Sequence, residues 1–327
     1  MATYSVIKLS GITQIHMGTG RESYDFSATD LCSDTLMSAL ASMMAIQGES
    51  SEIETFLSSV RLSSAFPYYH NDFFMPVPKG RLNVEVEGDV QGLHRKSLKK
   101  VKFMSLSLWE KLLSGETVSI SKSQICGDYI TNRTSLLTSQ IYKSHVTERV
   151  FVPRDDAQDS EPFFFEWKYF EKESGLFVLT DAIGEQFKKL LSLMEALGEQ
   201  GLGTDKSVGG GKFLVKSAGT IAIAPPANSD SIMLLSLYLP TPDELAQIDL
   251  ESSRYSLLLR GGFMAGSQEE TFRHLRKRSV YMIDAGSVLH TNIPLKGKVV
   301  DLRPEWNDPK MHPAFRSGRP LSIPIKR

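Results

Sequence analysis

One stretch constrains this chain more than any other: Gly198-Glu-Gln-Gly-Leu-Gly-Thr-Asp-Lys-Ser-Val-Gly-Gly-Gly-Lys-Phe213, with six glycines in sixteen residues. Glycine reaches positive φ at little cost and lets a second backbone approach closely. Successive N–H groups in such a turn can form a concavity for anions, and Lys206 and Lys212 place positive charge beside it. Upstream, Phe187, Leu190, Leu191, Met194 and Leu197 recur at helical spacing, which predicts an amphipathic helix with its C-cap at Gly198. Downstream, Phe213-Leu-Val215 predicts a short strand.

The order helix, loop, strand excludes two common phosphate binders. A P-loop places Gly-x-x-x-x-Gly-Lys-Ser/Thr between a strand and a helix, whereas Phe213 follows Lys212 here. The dinucleotide fingerprint requires a third glycine where this chain has Lys206. Two readings remain open: a loop that touches a phosphate chain, or a plain surface connection of the kind glycine often makes.

The 327 residues suffice for two domains. With 41% hydrophobic and 23% charged residues, the chain falls among folded globular proteins. It has no apolar run of the roughly 18 residues that would suggest a membrane span, and Met-Ala-Thr-Tyr-Ser-Val lacks the pattern of a secretory signal. Cys32 and Cys126 have no metal-ligand spacing, so free thiols in a cytoplasmic protein are expected. The seven histidines form no metal-binding pair, and neither a metal nor a cofactor is expected.

A formal net charge of −1 argues against an indiscriminate nucleic-acid binder. The charge is uneven, however. Arg95, Lys96, Lys99, Lys100 and Lys102 crowd one segment; Arg273, Arg276, Lys277 and Arg278 crowd another; Arg316, Arg319, Lys326 and Arg327 lie at the end. Acid gathers at 155–161. Each cluster reads either as solvated surface or as a grip on phosphate.

Along the chain, Ser5–Leu9 predicts a strand, 11–30 a long loop with His16, and 31–44 a helix capped by Ser33 or Asp34. The aromatics Phe66, Tyr68, Tyr69, Phe73 and Phe74 follow. The alternate prolines Pro76 and Pro78 predict an edge segment there. Residues 81–148 read as an excursion with little deep core, an extended hairpin. A boundary is expected near 155, where Pro153, the acidic run and Pro162 shift the composition. Strands at 163–170 and 175–179, the helix, and strands at 213–215, 231–239 and 255–259 then suggest a ferredoxin-like order. The predicted architecture is α+β: two ferredoxin-like (RRM-like) domains, 1–155 with an insertion near 81–148, and 156–327 carrying the glycine-rich loop 198–212.

The chain resembles the RAMP superfamily of CRISPR effector proteins and, within it, the fourth-subunit family of the type III-A Csm complex. The resemblance rests on the order of several short segments. These are His16-Met-Gly18, Ser33-Asp-Thr-Leu36 with Ser38-Ala-Leu40, Leu62-Ser-Ser-Ala-Phe-Pro-Tyr68 and Phe74-Met-Pro-Val-Pro-Lys79. Lys100-Val-Lys-Phe103, the glycine loop, Leu259-Arg-Gly-Gly-Phe263, Gly286-Ser-Val288 and His312-Pro-Ala-Phe-Arg-Ser-Gly318 follow. Many relatives carry an aromatic-rich end in place of Phe315-Arg-Ser-Gly318. The resemblance implies a non-catalytic subunit that holds the 5′ tag of a guide RNA. It also implies contact with a large polymerase/nuclease-type subunit and with backbone RAMP subunits, not a stand-alone homo-oligomer.

On that reading the site is a binding surface. Lys206 and Lys212 neutralise phosphates, with backbone N–H groups of Gly201, Gly203, Gly209, Gly210 and Gly211 beside them, and affinity falls with salt. Thr204 and Ser207 bond phosphate or 2′-OH. Arg95, Lys96, Lys99 and Lys100 are further contacts; in a strand, Lys99 and Lys100 would point opposite ways. Arg260, ahead of two glycines, and His16 complete the set. His16 also carries the alternative reading, a metal-independent endoribonuclease that processes guide precursors, in which the imidazole is general acid or base.

Overall fold

The computed structural model describes the whole chain except residues 1, 19–23, 29, 90–91, 134–137, 139–140, 153–159, 265–269, 273, 306–307, 309 and 327. Strand β1 (Ala2–Ser10) is apolar on both faces: Tyr4 and Val6 are buried on one side, Ile7 and Leu9 on the other. A strand covered twice belongs inside a sheet, and β1 is paired on both edges.

Helices α1 (Ser33–Ile46) and α2 (Ile53–Ser59) follow, then β2 (Phe66–Tyr69) and β3 (Asp72–Pro76). The helix α1 starts one residue early: Cys32 is its N-cap, and both expected caps lie inside it. Ser33 Oγ instead accepts the Leu237 N–H at 2.9 Å. Strand β3 corrects another expectation, because it is not an edge. It pairs with β2 and, through Phe74, Met75 and Pro76, with β5 (Phe103–Ser105). The sheet tolerates Pro76 because it is the last residue of the strand.

The segment expected to be a shallow excursion is instead a packed addition to the sheet. It comprises β4 (Val84–Val86), α3 (Arg95–Leu98), β5, α4 (Leu106–Leu113), β6 (Val118–Ile120), β7 (Ile125–Cys126) and β8 (Tyr129–Ile130). Met104, Trp109, Ile120 and Ile130 are fully buried. Trp109 satisfies its indole N–H on the Pro76 carbonyl at 2.7 Å; its truncation would cost about 3–5 kcal/mol. The extended hairpin comes later, as β9 (Tyr142–Phe151) and β10 (Glu161–Phe170), paired in register from Tyr142↔Phe170 to Phe151↔Glu161.

Strand β11 (Ser174–Thr180), helix α5 (Gly184–Gln200) and β12 (Leu214–Ile223) then return to β1. The sheet order is β12-β1-β11-β2-β3-β5-β8-β7. Strands from both sides of residue 155 therefore share one sheet, so the expected division at 155 does not separate two units. The acidic run that suggested it lies largely outside the described residues.

The second sheet begins at β13 (Ser231–Leu234). After it come α6 (Pro242–Leu245), β14 (Asp249–Arg254), β15 (Leu257–Arg260), β16 (Val280–Ile283), β17 (Val288–His290), β18 (Val299–Asp301), β19 (Phe315–Ser317) and β20 (Ser322–Ile325). Its order is β14-β17-β13-β20. One apolar cluster joins the sheets, with Tyr4, Val6, Ile221 and Ile223 on one side and Met233, Ile323 and Ile325 on the other. The helices α1, α2 and α5 cover the opposite face of the first sheet. Among the described residues, no helix is long and apolar enough to cross a membrane.

Candidate nucleic-acid interface

The glycine loop runs from the end of α5 to β12, and its glycines serve its own backbone first. The helix continues past Gly198, the expected cap, to Gly201 at φ 89°. Gly198 is an inner helical residue, and a Cβ there would stand 2.3 Å from the Phe213 carbonyl. Gly211, at φ +68°, lies so close to Leu202 that a Cβ would meet that carbonyl at 1.8 Å. Gly203, at φ +84°, presses on the His16 carbonyl in the same way. Only glycine permits such approaches.

The loop N–H groups are mostly spent on the protein, which corrects the expected anion concavity. Leu202 donates to Gly211, Gly211 to Gln14, Thr204 to His16 and Gly210 to Asp205, at 2.8 to 3.2 Å. Lys212 N–H donates to Thr13 Oγ1 at 2.8 Å, and Thr13 Oγ1 donates to the Gly209 carbonyl at 2.9 Å. What faces water is the tip: Lys206, Ser207 and Lys212 are exposed, and Asp205 turns the chain at φ 59°. The loop is thus a stiff mount for two ammonium groups and a hydroxyl.

The loop rests on the first loop of the chain and, through it, on the hairpin. Ile15 and Lys168 exchange backbone bonds at 3.0 and 2.9 Å. Arg149 pairs with Asp205 at 2.5 Å and lies 4.2 Å over the Phe165 ring. Glu166 and Lys168 form a buried pair at 2.8 Å, and Glu166 accepts the Ser27 N–H at 2.6 Å. Burial pushes the Glu166 carboxyl up, but Lys168 and the Ser27 N–H outweigh it and hold the group below the usual carboxylate range.

His16 is fully buried, with Nδ1 2.8 Å from the Glu166 carbonyl oxygen and its ring 4.5 Å from Phe165. The imidazole is thus enclosed, with Nδ1 held on the hairpin backbone. Arg260 is likewise committed. Its Nε and Nη2 donate to Asp34 at 2.8 and 3.1 Å, and Nη2 also donates to Thr35 Oγ1 at 2.8 Å. Arg316 binds the same fully buried carboxylate. Asp34 is therefore a joint between α1 and the C-terminal strands, and removing one member of such a cluster is strongly destabilising. Burial beside Arg316 lowers the neighbouring Lys277 ammonium to about 8, with Asp34 opposing the shift.

The basic segment at 95–100 is not extended: Arg95 and Lys96 lie in α3, and Lys99 and Lys100 in the turn after it. Arg95 and Lys99 line a cleft of about 920 Å³ together with Lys79, Arg81 and Lys102. Lys96 and Lys100 do not line it. Lys79 is neutralised by Asp284 at 2.5 Å. Among the described residues, Arg81, Arg95, Lys99 and Lys102 make no salt bridge to a carboxylate. The floor is apolar, with Phe66, Val77, Leu82 and Phe103. The structure does not unite this cleft with the glycine loop, since no loop residue lines it. Of the aromatics from 66 to 74, Phe66, Tyr68 and Phe74 are buried in the core and cannot stack on bases.

Comparisons with known proteins agree with this architecture. Residues 227–325 match the family described as the CRISPR Csm4 C-terminal domain, and this stretch holds the whole second sheet. The CRISPR system Cms protein Csm4 of Mycobacterium tuberculosis is 27% identical over 303 residues, 91% of each chain. That of Thermococcus onnurineus is 27% identical over 281 residues, 81% of this chain and 86% of the relative. A chain of a crystallised Csm1–Csm4 cassette in complex with cA4 superposes with a TM-score of 0.63 at 20% identity, covering 99% and 98% of the two chains. A chain of a Csm3–Csm4 subcomplex from a type III-A CRISPR-Cas interference complex gives 0.61 at 16% identity, covering 99% and 100%. Along nearly its whole length the chain resembles the Csm4 proteins of CRISPR systems, and its residues 227–325 match the model of their C-terminal domain.

Proposed function

We propose that this chain is the non-catalytic subunit of a type III-A CRISPR effector complex that holds the 5′ tag of the guide RNA. In that role it anchors a large polymerase/nuclease-type subunit to the backbone RAMP subunits. One observation carries the RNA reading: Lys206, Ser207 and Lys212 stand in water on a loop whose backbone is fixed by its own hydrogen bonds. Side chains on a rigid mount bind a strand without first ordering the mount. The cleft with Arg81, Arg95, Lys99 and Lys102 supplies a second cationic stretch for the same strand. Likeness to chains solved with Csm1 and with Csm3 supports the two protein partners.

We read each sheet as a ferredoxin-like unit. In the first, chain order β1-α1-β2-β11-α5-β12 goes with sheet order β12-β1-β11-β2, and residues 72–173 are inserted between its second and third strands. In the second, β13, β14, β17 and β20 repeat that order with one short helix. The division then falls between Ile223 and Ser231. A cytoplasmic location accords with the free thiols. The endoribonuclease reading lacks an accessible base, because His16 is enclosed.

The test is affinity purification of the tagged chain from cells expressing its neighbouring genes, with sequencing of the bound RNA. Short RNAs sharing one 5′ end, together with a large subunit and RAMP proteins, are expected. A chain recovered without RNA refutes the tag-binding role. Cleavage of precursor RNA by the pure chain, abolished in His16→Ala, would establish the enzyme instead.

A further inference from the structure

Two aromatic rings stand in solvent where the hairpin meets the first loop, and the reading above uses neither. Tyr24 is 47% exposed and Phe26 59%. The backbone that carries them is nevertheless fixed. The Tyr24 carbonyl accepts the Glu166 N–H at 3.0 Å, and Ser27 N–H donates to the Glu166 carboxylate at 2.6 Å. Ser27 Oγ accepts the Met17 N–H at 3.0 Å. Exposed large aromatics forgo favourable burial, and here they do so on a segment pinned on both sides of the pair.

Their surroundings hold two cations, each paired with a carboxylate, and connect to the glycine loop. Tyr24 stacks on Phe165 at 5.6 Å and 17°. Phe165 also carries the Arg149 guanidinium, which pairs with Asp205, the residue before Lys206. The Lys168 ammonium is 5.8 Å from the Phe26 ring. A protein partner would be met by a contiguous apolar patch with few charges at its centre. Exposed aromatic faces on a fixed backbone, linked through Arg149 and Asp205 to the loop that carries Lys206 and Lys212, suit single-stranded nucleic acid, since every base has a π-face and every linkage a charge.

We propose that Tyr24 and Phe26 form a base-stacking platform for single-stranded RNA whose backbone lies on Lys206 and Lys212. This rests on the RNA-binding reading of the loop and adds the side chains that hold the bases. Phosphate contacts position a strand, and stacking orders its unpaired bases. The two contributions differ in their response to salt: the lysines set the slope of affinity against salt, and the rings do not.

The experiment uses the full chain and single-stranded RNA of about eight nucleotides, within the usual site size, carrying a fluorescent base analogue at successive positions. Binding is titrated at several salt concentrations. The wild-type chain is expected to quench the analogue at one or two positions. Tyr24→Ala and Phe26→Ala should each remove quenching at one position and weaken binding roughly tenfold with the salt slope unchanged. Tyr24→Phe keeps the ring and should bind within about twofold of wild type; thermal melts confirm that each variant is folded. If RNA binds with a slope that depends on Lys206 and Lys212 while quenching and affinity survive both ring truncations, the platform is overturned and the loop reading stands. If those truncations spare RNA but abolish co-purification of a protein partner, the rings are a docking patch and the proposal is wrong. If the wild-type chain binds no RNA, the platform and the loop reading fall together.

Discussion

The glycine loop and the cleft beside α3 both present lysines or arginines that make no salt bridge among the described residues, yet they are built by opposite means. The loop has few charges on a backbone tied to Gln14, His16 and Thr13. The cleft has Arg81, Arg95, Lys99 and Lys102 on long flexible stems around an apolar floor. In the loop, position comes from main-chain bonds and close approaches that only glycine allows. In the cleft, charge is plentiful and position is left to side-chain rotamers, each of which loses entropy when it engages. The difference suggests a division of labour in which the loop sets the register of a strand and the cleft supplies attraction.

The strongest way to break this contrast is to put a side chain into the loop. Gly211→Ala forces a Cβ against the Leu202 carbonyl at a positive φ. It should cost roughly 2–4 kcal/mol of stability, read as a lower denaturation midpoint, and abolish RNA binding. An equally small change at Gly88, where a Cβ would meet nothing within 4 Å, should leave binding intact despite its positive φ. Equal effects at both positions would show that the loop has no special structural burden.

Next in size is charge removal from the cleft. Replacing Arg81, Arg95, Lys99 and Lys102 by alanine should leave folding unchanged and reduce the log–log salt slope of RNA affinity by about 2.8, at roughly 0.7 per single-strand phosphate. An unchanged slope would remove the cleft from the RNA path. Lys206→Ala with Lys212→Ala should reduce the slope by about 1.4 and, if the loop sets register, also shift the ribonuclease footprint. The cleft variant should weaken the footprint without moving it.

The smallest effect is acidic. Glu166 is held below the usual carboxylate range. Its pairing therefore stabilises the fold fully above the unfolded carboxylate value near 4.3, and that stability is lost as pH falls through the lower folded value. Hydrogen exchange should quicken at Ile15 and Ser27 in that window while the cleft strands β3 and β5 keep their protection. Glu166→Gln should remove the pH step.

The hairpin base shows how far local reading goes. The helix α5 and the glycine turn after it follow from apolar spacing and glycine placement within a few residues of each other. Lys206, Ser207 and Lys212, read from the sequence as phosphate contacts, are exposed in the structure, because a turn this rich in glycine leaves its polar side chains outside. Tyr24 and Phe26 were passed over as part of a long polar loop, although Tyr24-Asp-Phe26 is an aromatic pair at alternate positions that nothing nearby has a reason to bury. Arg260 was misread because its partner, Asp34, lies 226 residues away.

By itself the sequence determined the helices α1 and α5 and a lysine-bearing glycine turn between a helix and a strand. These depend on backbone propensity and on apolar spacing within one element. Only the tertiary structure decided that β11 and β12 return to β1 across an insertion of about a hundred residues, that His16 is enclosed and that Arg260 pairs with Asp34. Strand pairing and ion pairing over such separations are chosen by the burial of whole surfaces, and a strand carries the same local pattern whichever neighbour it joins.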